Sequence, residues 1–526
     1  MRWNINRQKT TYILSIILLF LFFLASCSNG IENSATQEKV SPNVLLILAD
    51  DLGYGDLSCY SDSTKISTPN IDQLALRGIR FTDAHTPSSV CTPTRYGLLT
   101  GRYAWRTRLK KKVLWPYAMT LIDKNRKTLP QLFKSQGYQT AMFGKWHLGW
   151  DWPVIDSTAY PWEKLIDGNW GGKGLDLSKQ IKGGPASAGF DYAFGVDYPN
   201  SPPYSFIENG WLVGGVPEGK KPKNMFGSDG LMQPGWRHEM VLPTICNKAK
   251  SYLDTASNPF FMYLSLTAPH TPITPSDSFA GKSGAGDYGD FIVEMDTYIG
   301  ELISTLEKKG QLENTIIIFT SDNGSPAKAG DPNIRSPDWN QFGALERMFG
   351  HYPNSPFKDY KSGLYEGGHR VPFIISWPGQ IPQNEVSNQL FGLQDLMATF
   401  YAFFDQKIPT NTAEDSYDVS PYLFKNQQDL EIRDHIIMHS DLGSFAIRLK
   451  DWKLLADSSS GGFSFKYREM LGTYVSDQPG QLYNLSADPY EQEDLYQKNP
   501  KKVNELSELL SKYIENSRTA PEPAKD

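Results

Sequence analysis

Pro42-Asn43-Val44-Leu45-Leu46-Ile47-Leu48-Ala49-Asp50-Asp51 is an apolar run that stops on two adjacent carboxylates. Val44 to Leu48 shows no alternation of apolar and polar residues, so neither face of this strand is made for water. That is the pattern of a strand inside a parallel sheet covered on both sides. Thr140 to Phe143, Phe260 to Leu266, Thr315 to Phe319 and Val371 to Ile375 repeat it. Helical patterns lie between them: Phe291, Ile292, Met295, Tyr298, Ile299, Leu302 and Leu306 recur at steps of three and four, and Gly310 stops the pattern. Strands alternating with helices predict an α/β fold. After about residue 425 the pattern changes to short strands, His435 to His439, Phe445 to Lys450 and Trp452 to Leu455, with a turn at Lys450-Asp451 and a closing helix from Lys502 to Tyr513. Residues 41–425 are therefore read as the main α/β domain and 426–526 as a small C-terminal α+β subdomain with an antiparallel sheet. The stretch from Gly149 to Arg237, rich in Gly, Pro and Trp, reads as loop.

The composition limits what such a fold can be doing. Among 526 residues, 52 Lys and Arg face 58 Asp and Glu, a formal charge of −6, which excludes a bulk nucleic-acid binder. With 40% hydrophobic and 21% charged residues, disorder as the main state is excluded too. Four Cys cannot form a disulfide framework in so long a chain, so each thiol is read separately. Cys59 and Cys246 read as small buried hydrophobes.

At the N-terminus, Arg2, Arg7 and Lys9 precede an apolar run from Tyr12 to Ala25, too short for a comfortable membrane span but of signal-peptide length. Leu24-Ala25-Ser26-Cys27 resembles the bacterial lipobox, which implies removal of residues 1–26 and lipidation of Cys27, with 27–40 as a polar tether. The expectation is an exported bacterial lipoprotein, held by its lipid anchor in the periplasm or on the outer membrane or cell surface. A non-lipidated secreted protein is the alternative.

Ligands of α/β sheets bind outside the carboxyl ends of the strands, and there the sequence places Asp50-Asp51, Asp322-Asn323, Lys145 with His147, and His270. Either acidic pair alone would pass for an ordinary turn. Three carboxylates and an amide brought together would repel one another unless a hard cation sat among them, and oxygen ligands point to Ca²⁺ or Mg²⁺ rather than zinc. Lys145, His147, His270 and Lys361 add the positive charge and proton carriers that an oxyanion ester requires. Cys91, followed by Pro93 and helix-compatible residues, falls at a helix N-terminus, where free N–H groups favour an anion. Arg95 lies one turn further on.

Cys91-Thr92-Pro93-Thr94-Arg95 followed by Leu98-Leu99-Thr100-Gly101-Arg102 matches C-x-P-x-R and L-x-T-G-R, and so resembles the formylglycine-dependent sulfatases. Five further stretches look like family blocks in family order: 42–51, Gly144 to Gly149, Pro269-His270-Thr271-Pro272, Ser321-Asp322-Asn323-Gly324, and Lys361 to Pro372 with Glu366-Gly367-Gly368. Leu482-Tyr483-Asn484-Leu485 with Asp488-Pro489 and Glu491 resembles the usual C-terminal segment, so the similarity spans about residues 42 to 495.

The resemblance implies an alkaline-phosphatase-like, mostly parallel central sheet flanked by helices. It implies hydrolysis of sulfate esters through residue 91 oxidised by a formylglycine-generating maturase, with one hydroxyl of the hydrated aldehyde attacking sulfur. Asp50, Asp51, Asp322, Asn323 and residue 91 would hold one divalent cation, Ca²⁺ before Mg²⁺. Arg95 and His147 would position and activate the nucleophile, and His147 would later regenerate the aldehyde. Lys145, His270 and Lys361 would clamp the sulfate, with His270 or Lys361 protonating the leaving group. Lys361 is preferred over Lys358 because its spacing to Glu366-Gly367-Gly368 fits the family block.

The expected substrate is a sulfated poly- or oligosaccharide. Algal polymers such as ulvan or carrageenan and glycosaminoglycans with 6-sulfated N-acetylgalactosamine are both open. Trp150, Trp152, Trp162, Trp170, Trp211 and Trp236 could face sugar rings or simply pack their loop, and His351 and Asn354, just before Lys361, are candidate glycan contacts. Two other readings compete: a phosphate or phosphonate ester hydrolase of the same superfamily, and a non-catalytic surface glycan binder.

Overall fold

In the computed structural model, residues 41–522 are described, apart from 160–171, 258, 334, 426, 428–429 and 464–474. Cys27, its tether, Trp162 and Trp170 thus lie outside the described residues.

The strand Asn43–Asp50 runs at the centre of a ten-stranded sheet, parallel to Phe260–Pro269 on one side and Thr315–Ser321 on the other. Gln139–Lys145 continues the parallel set beyond 260–269, and Tyr192–Val196 beyond that. This fifth parallel strand lies inside the stretch read as loop, and is a correction to that reading. Antiparallel Phe373–Ser376 follows 315–321 on the other flank, and the short strands Gly78–Phe81 and Glu385–Ser387 complete that edge.

Successive residues of the central strand point to opposite faces, as the strand geometry requires. Val44, Leu46 and Leu48 enter one apolar cluster with Leu98, Leu129, Phe133 and Phe400. Leu45, Ile47 and Ala49 enter another with Ile71, Ile245, Ile292 and Ile299. Helices Cys91–Thr100, Leu129–Ser135 and Leu396–Phe403 cover the first face; Pro69–Leu76, Val241–Thr255 and Gly286–Lys308 cover the second. Each Leu or Ile withdrawn from water in these layers contributes roughly 1.5–3 kcal/mol. The helix read from the 291–306 periodicity ends where expected, at Lys308, with Gly310 in the left-handed region at φ 65°.

The C-terminal strands His435–His439, Phe445–Leu449, Trp452–Leu455 and Gln481–Asn484 form an antiparallel sheet. One face packs against the helix Pro500–Glu515 through Val503, Leu506 and Leu510. The other packs on Leu364 and Tyr365, immediately after Lys361. This sheet belongs to the same compact unit, Pro42–Asp526, as the ten-stranded one. Buried ion pairs join the two: Lys453 Nζ lies 2.8 Å from both Glu366 and Glu491, and Arg448 lies 2.7 Å from Asp83. His85, Glu366 and His369 come close enough together to hold a metal ion. Their charge is already met by Lys453, whose Nζ is also 3.1 Å from His369 Nε2.

Candidate active site

The five parallel strands all deliver their carboxyl ends to one place. The 43–50 strand brings Asp50 and Asp51, 315–321 brings Asp322 and Asn323, 260–269 brings His270, and 139–145 brings Lys145 and His147. The fifth brings Asp197 and Tyr198. Asp51 and His147 leave their strands with φ of 69° and 53°, and Ser362, next to Lys361, has φ 83°. Non-glycine residues in this region cost of order 1–3 kcal/mol each and tend to mark functional sites.

Cys91 is the first residue of the helix 91–100 and is 1% exposed. Its Sγ lies 3.8 Å from Asp50 Oδ1 and 3.3 Å from Lys361 Nζ. Burial pushes the thiol up to about 12, against the pull of Lys145 and Lys361. As a cysteine, residue 91 is therefore a protonated, weak nucleophile at neutral pH.

The carboxylates around it are densely paired. Lys145 Nζ donates to both oxygens of Asp50, at 3.0 and 2.8 Å. Lys361 Nζ donates to Asp51 Oδ1 at 2.5 Å, and Asn323 Nδ2 donates to the same oxygen at 2.7 Å. Burial opposes ionisation of Asp51, but Lys361, His270 and Lys145 outweigh it and hold the carboxyl below its usual range. Arg95 donates to Asp322 Oδ2 at 3.1 and 2.6 Å, approaches Asp50 to 3.4 Å, and also bonds Ser265 Oγ and the Lys145 carbonyl. Its guanidinium thus orders the carboxylate cage, and through the cage the surroundings of residue 91. Burial and the adjacent Asp50 push the Asp322 carboxyl up in spite of Arg95.

A divalent cation fits this donor set. Asn323 Oδ1 is buried and has no hydrogen-bond partner, while its amide nitrogen is committed to Asp51 and the Gly324 carbonyl. An orphaned amide oxygen beside three carboxylates is the arrangement a hard cation satisfies. Asp50, Asp51, Cys91 and His270 place ligand atoms within 4.8 Å of one another.

His147 bonds the Leu114 carbonyl through Nε2 at 2.9 Å, so Nε2 carries the hydrogen; Nδ1 is buried and without a partner. Burial, reinforced by Lys145, holds the imidazole well below its ordinary range, so it is neutral with a free lone pair. His270 donates Nδ1–H to the Thr271 carbonyl at 2.5 Å and turns Nε2 toward Asp51, 3.7 Å away. Lys358 is elsewhere: its Nζ donates to the Glu491 carbonyl and lies over the Tyr365 ring, leaving Lys361 as the lysine at residue 91.

His351 and Asn354, the candidate glycan contacts, bond within the protein. Both are buried, and their polar atoms hold loops together: His351 Nε2 bonds Asp56 at 2.8 Å, while Asn354 accepts from the Ser325 amide and donates to the Ser325 and Asp359 carbonyls. Trp150, Trp152 and Trp236 are buried packing residues, and Trp211 alone among the described tryptophans of that stretch is exposed. Conversely, Tyr198 was not singled out from sequence. Its ring lies 4.4 Å from that of His147 and 5.9 Å from that of His270, with Lys145 Nζ 5.1 Å from its centroid. Asp197 beside it accepts from Trp150 Nε1, and burial pushes its carboxyl up to about 7. The available signal was Tyr192-Ala193-Phe194-Gly195-Val196, an apolar run ending in polar residues like the other four.

The family model described as Sulfatase matches residues 42–405. An N-acetylgalactosamine-6-O-sulfatase of Bacteroides thetaiotaomicron is 35% identical, over 93% of this chain and 96% of that protein. Human arylsulfatase A is 30% identical, over 86% of this chain and 83% of its own length. A solved structure from work on glycosaminoglycan metabolism by Bacteroides thetaiotaomicron is 33% identical with a TM-score of 0.76, covering 90% of this chain and 99% of that one. With the motif-bearing residues gathered around position 91 and the match running through the whole parallel sheet, the chain belongs to the sulfatase family, whose members are sulfuric ester hydrolases.

Proposed function

We propose that this sulfatase removes the 6-sulfate from N-acetylgalactosamine units of a sulfated glycosaminoglycan, using formylglycine at position 91 and a Ca²⁺ ion. The observation that carries the chemistry is the position of the Cys91 side chain at a helix start, between Asp50 and Lys361, beside an amide oxygen without a partner. The glycan assignment is supported by the Bacteroides N-acetylgalactosamine-6-O-sulfatase, which is similar along nearly the whole length of both chains.

Asp50, Asp51, Asp322 and Asn323 would hold the cation. Once in place, the oxidised residue supplies a nucleophilic oxygen and the cation supplies Lewis-acid polarisation of the ester. The remaining work falls to side chains already positioned. Lys145 and Lys361, kept charged by Asp50 and Asp51, present ammonium groups to sulfate oxygens. His147 Nδ1, neutral and unpartnered, holds the proton released at residue 91. Lys361 Nζ, kept protonated by Asp51, is the proton donor for the departing alkoxide, while His270, neutral with its hydrogen on Nδ1, turns a bare Nε2 toward the site. Arg95 keeps Asp322 and Asp50 in register for the cation. Tyr198 closes the wall beside His147 and His270 and keeps water from both.

Residues 41–425 would then carry the reacting groups, with 426–526 backing the Lys361 loop. Export, lipidation at Cys27, attachment in the periplasm or on the outer membrane or cell surface, and conversion of Cys91 by a maturase complete the proposal; they are supported by the N-terminal sequence and by the Cys91 motif. The test is hydrolysis of N-acetylgalactosamine 6-sulfate and of 6-sulfated chondroitin disaccharides by enzyme co-produced with a maturase. 4-Nitrophenyl sulfate and 4-nitrophenyl phosphate serve as reference substrates. Release of sulfate from the sugars is expected; cleavage of the phosphate in preference to every sulfate would overturn the reading.

A further inference from the structure

Lys328 lies on the segment leaving Asn323 and is partly open to solvent. Its segment is tied to the site: the Lys361 amide donates to the Ser325 carbonyl at 3.1 Å, and Phe342, the ring beside Lys328, lies 6.2 Å from that of Tyr360, next to Lys361. Asp51 is already engaged by Lys361 and Asn323, at 2.5 and 2.7 Å, and among the described residues no carboxylate pairs with Lys328. What it does touch is aromatic. Its Nζ is 5.6 Å from the centroid of Phe342, which in turn meets Phe463 at 6.0 Å, and Phe463 is 36% exposed. Burial and the like charge of Lys361 pull the ammonium down to about 8, leaving it still mostly protonated at neutral pH.

A recessed cation beside another cation is unfavourable until an anion joins it. The ester being cut already has Lys361, whose Nζ is 3.3 Å from Cys91 Sγ, whereas no bond joins Lys328 to Cys91 among the described residues. A partly exposed ammonium seated on a buried ring, with the exposed Phe463 packed against that ring, suits a sugar that carries a negative substituent. We propose that Lys328, seated on Phe342, forms a subsite for a second anionic group of the glycan, a sulfate or carboxylate adjacent to the ester being cleaved. The inference rests on the sulfatase reading and narrows its substrate to a polyanionic chain.

Steady-state kinetics of the wild type, Lys328→Met and Lys328→Arg on three probes test it: N-acetylgalactosamine 6-sulfate, N-acetylgalactosamine 4,6-disulfate, and the unsaturated chondroitin 6-sulfate disaccharide with its uronate. Methionine keeps the stem over Phe342 and removes the charge. The expected result is that Lys328→Met lowers kcat/KM for the disulfate or the uronate-bearing probe about tenfold more than for the monosulfate, mainly through KM, and that Lys328→Arg restores most of it. Whichever doubly charged probe loses identifies the group. An equal loss on all three would overturn the subsite and make Lys328 a ligand of the reacting sulfate; no loss on any would also overturn it. A wild type that releases sulfate from none of the probes would refute the N-acetylgalactosamine reading itself, and the subsite with it.

Discussion

Position 91 shows how surroundings make one cysteine different from others of its type. Cys246 is buried in the helix 241–255 and Cys59 is half-buried, and both are free thiols. Cys91 is just as buried, yet it faces Lys361 and Asp50. Its side chain is small, so Cys91→Ala should remove turnover entirely while changing stability by less than about 2 kcal/mol, a split that sulfate release and urea denaturation would measure together. Most individual site residues were legible in the sequence because motifs carried them; Lys361 was distinguished from Lys358 by spacing alone. The bonds of His351 and Asn354 were not legible, because a polar side chain before a lysine looks the same whether it faces a ligand or bonds Asp56 and Ser325 from distant parts of the chain. Tyr198 was missed because its importance lies entirely in which rings it meets.

The elements explain why these residues converge. Five parallel strands ending in polar residues place their side chains at one sheet edge without any long-range instruction beyond strand order. Four of them announced themselves as apolar runs; the fifth, Tyr192–Val196, was hidden by the Gly, Pro and Trp around it. The close fit of neighbouring strands is testable at Gly144, which has φ 111° and where a Cβ would come 1.8 Å from the Ser265 carbonyl oxygen. Gly144→Ala must part the strands 139–145 and 260–269 next to Lys145. We expect a loss of stability above about 1 kcal/mol and a fall in kcat/KM of at least about tenfold. The C-terminal sheet makes the other element-level prediction. Lys453→Met would leave Glu491 in the interior without its cation and Glu366 with Arg370 alone, and should cost about 3–5 kcal/mol, read as a drop in Tm.

Taken as a unit, the chain from Pro42 onward buries charge extensively, and its response to pH follows. Of eight histidines, seven are held below their ordinary range, by burial first of all; His435 and His439 are pulled down to about 4. Raised acids such as Asp197, at about 7, act in the opposite direction, so single residues give the cleaner test. His439, buried and bonded to the Lys110 carbonyl, stays neutral in the fold while an unfolded chain protonates it near pH 6.5. Its contribution is full above that value and is lost as pH falls toward 4. The stability advantage of wild type over His439→Gln should therefore shrink by up to about 3 kcal/mol between pH 7 and pH 4, as urea titrations at the two pH values would show.

The account depends above all on what residue 91 becomes. Mass spectrometry of the peptide containing it, taken from a preparation that is releasing sulfate, reads this directly. We predict an aldehyde or its hydrate at position 91, and activity that disappears when a hydrazine reagent blocks it. A fully active preparation in which every molecule carries an unmodified thiol at that position would contradict the account.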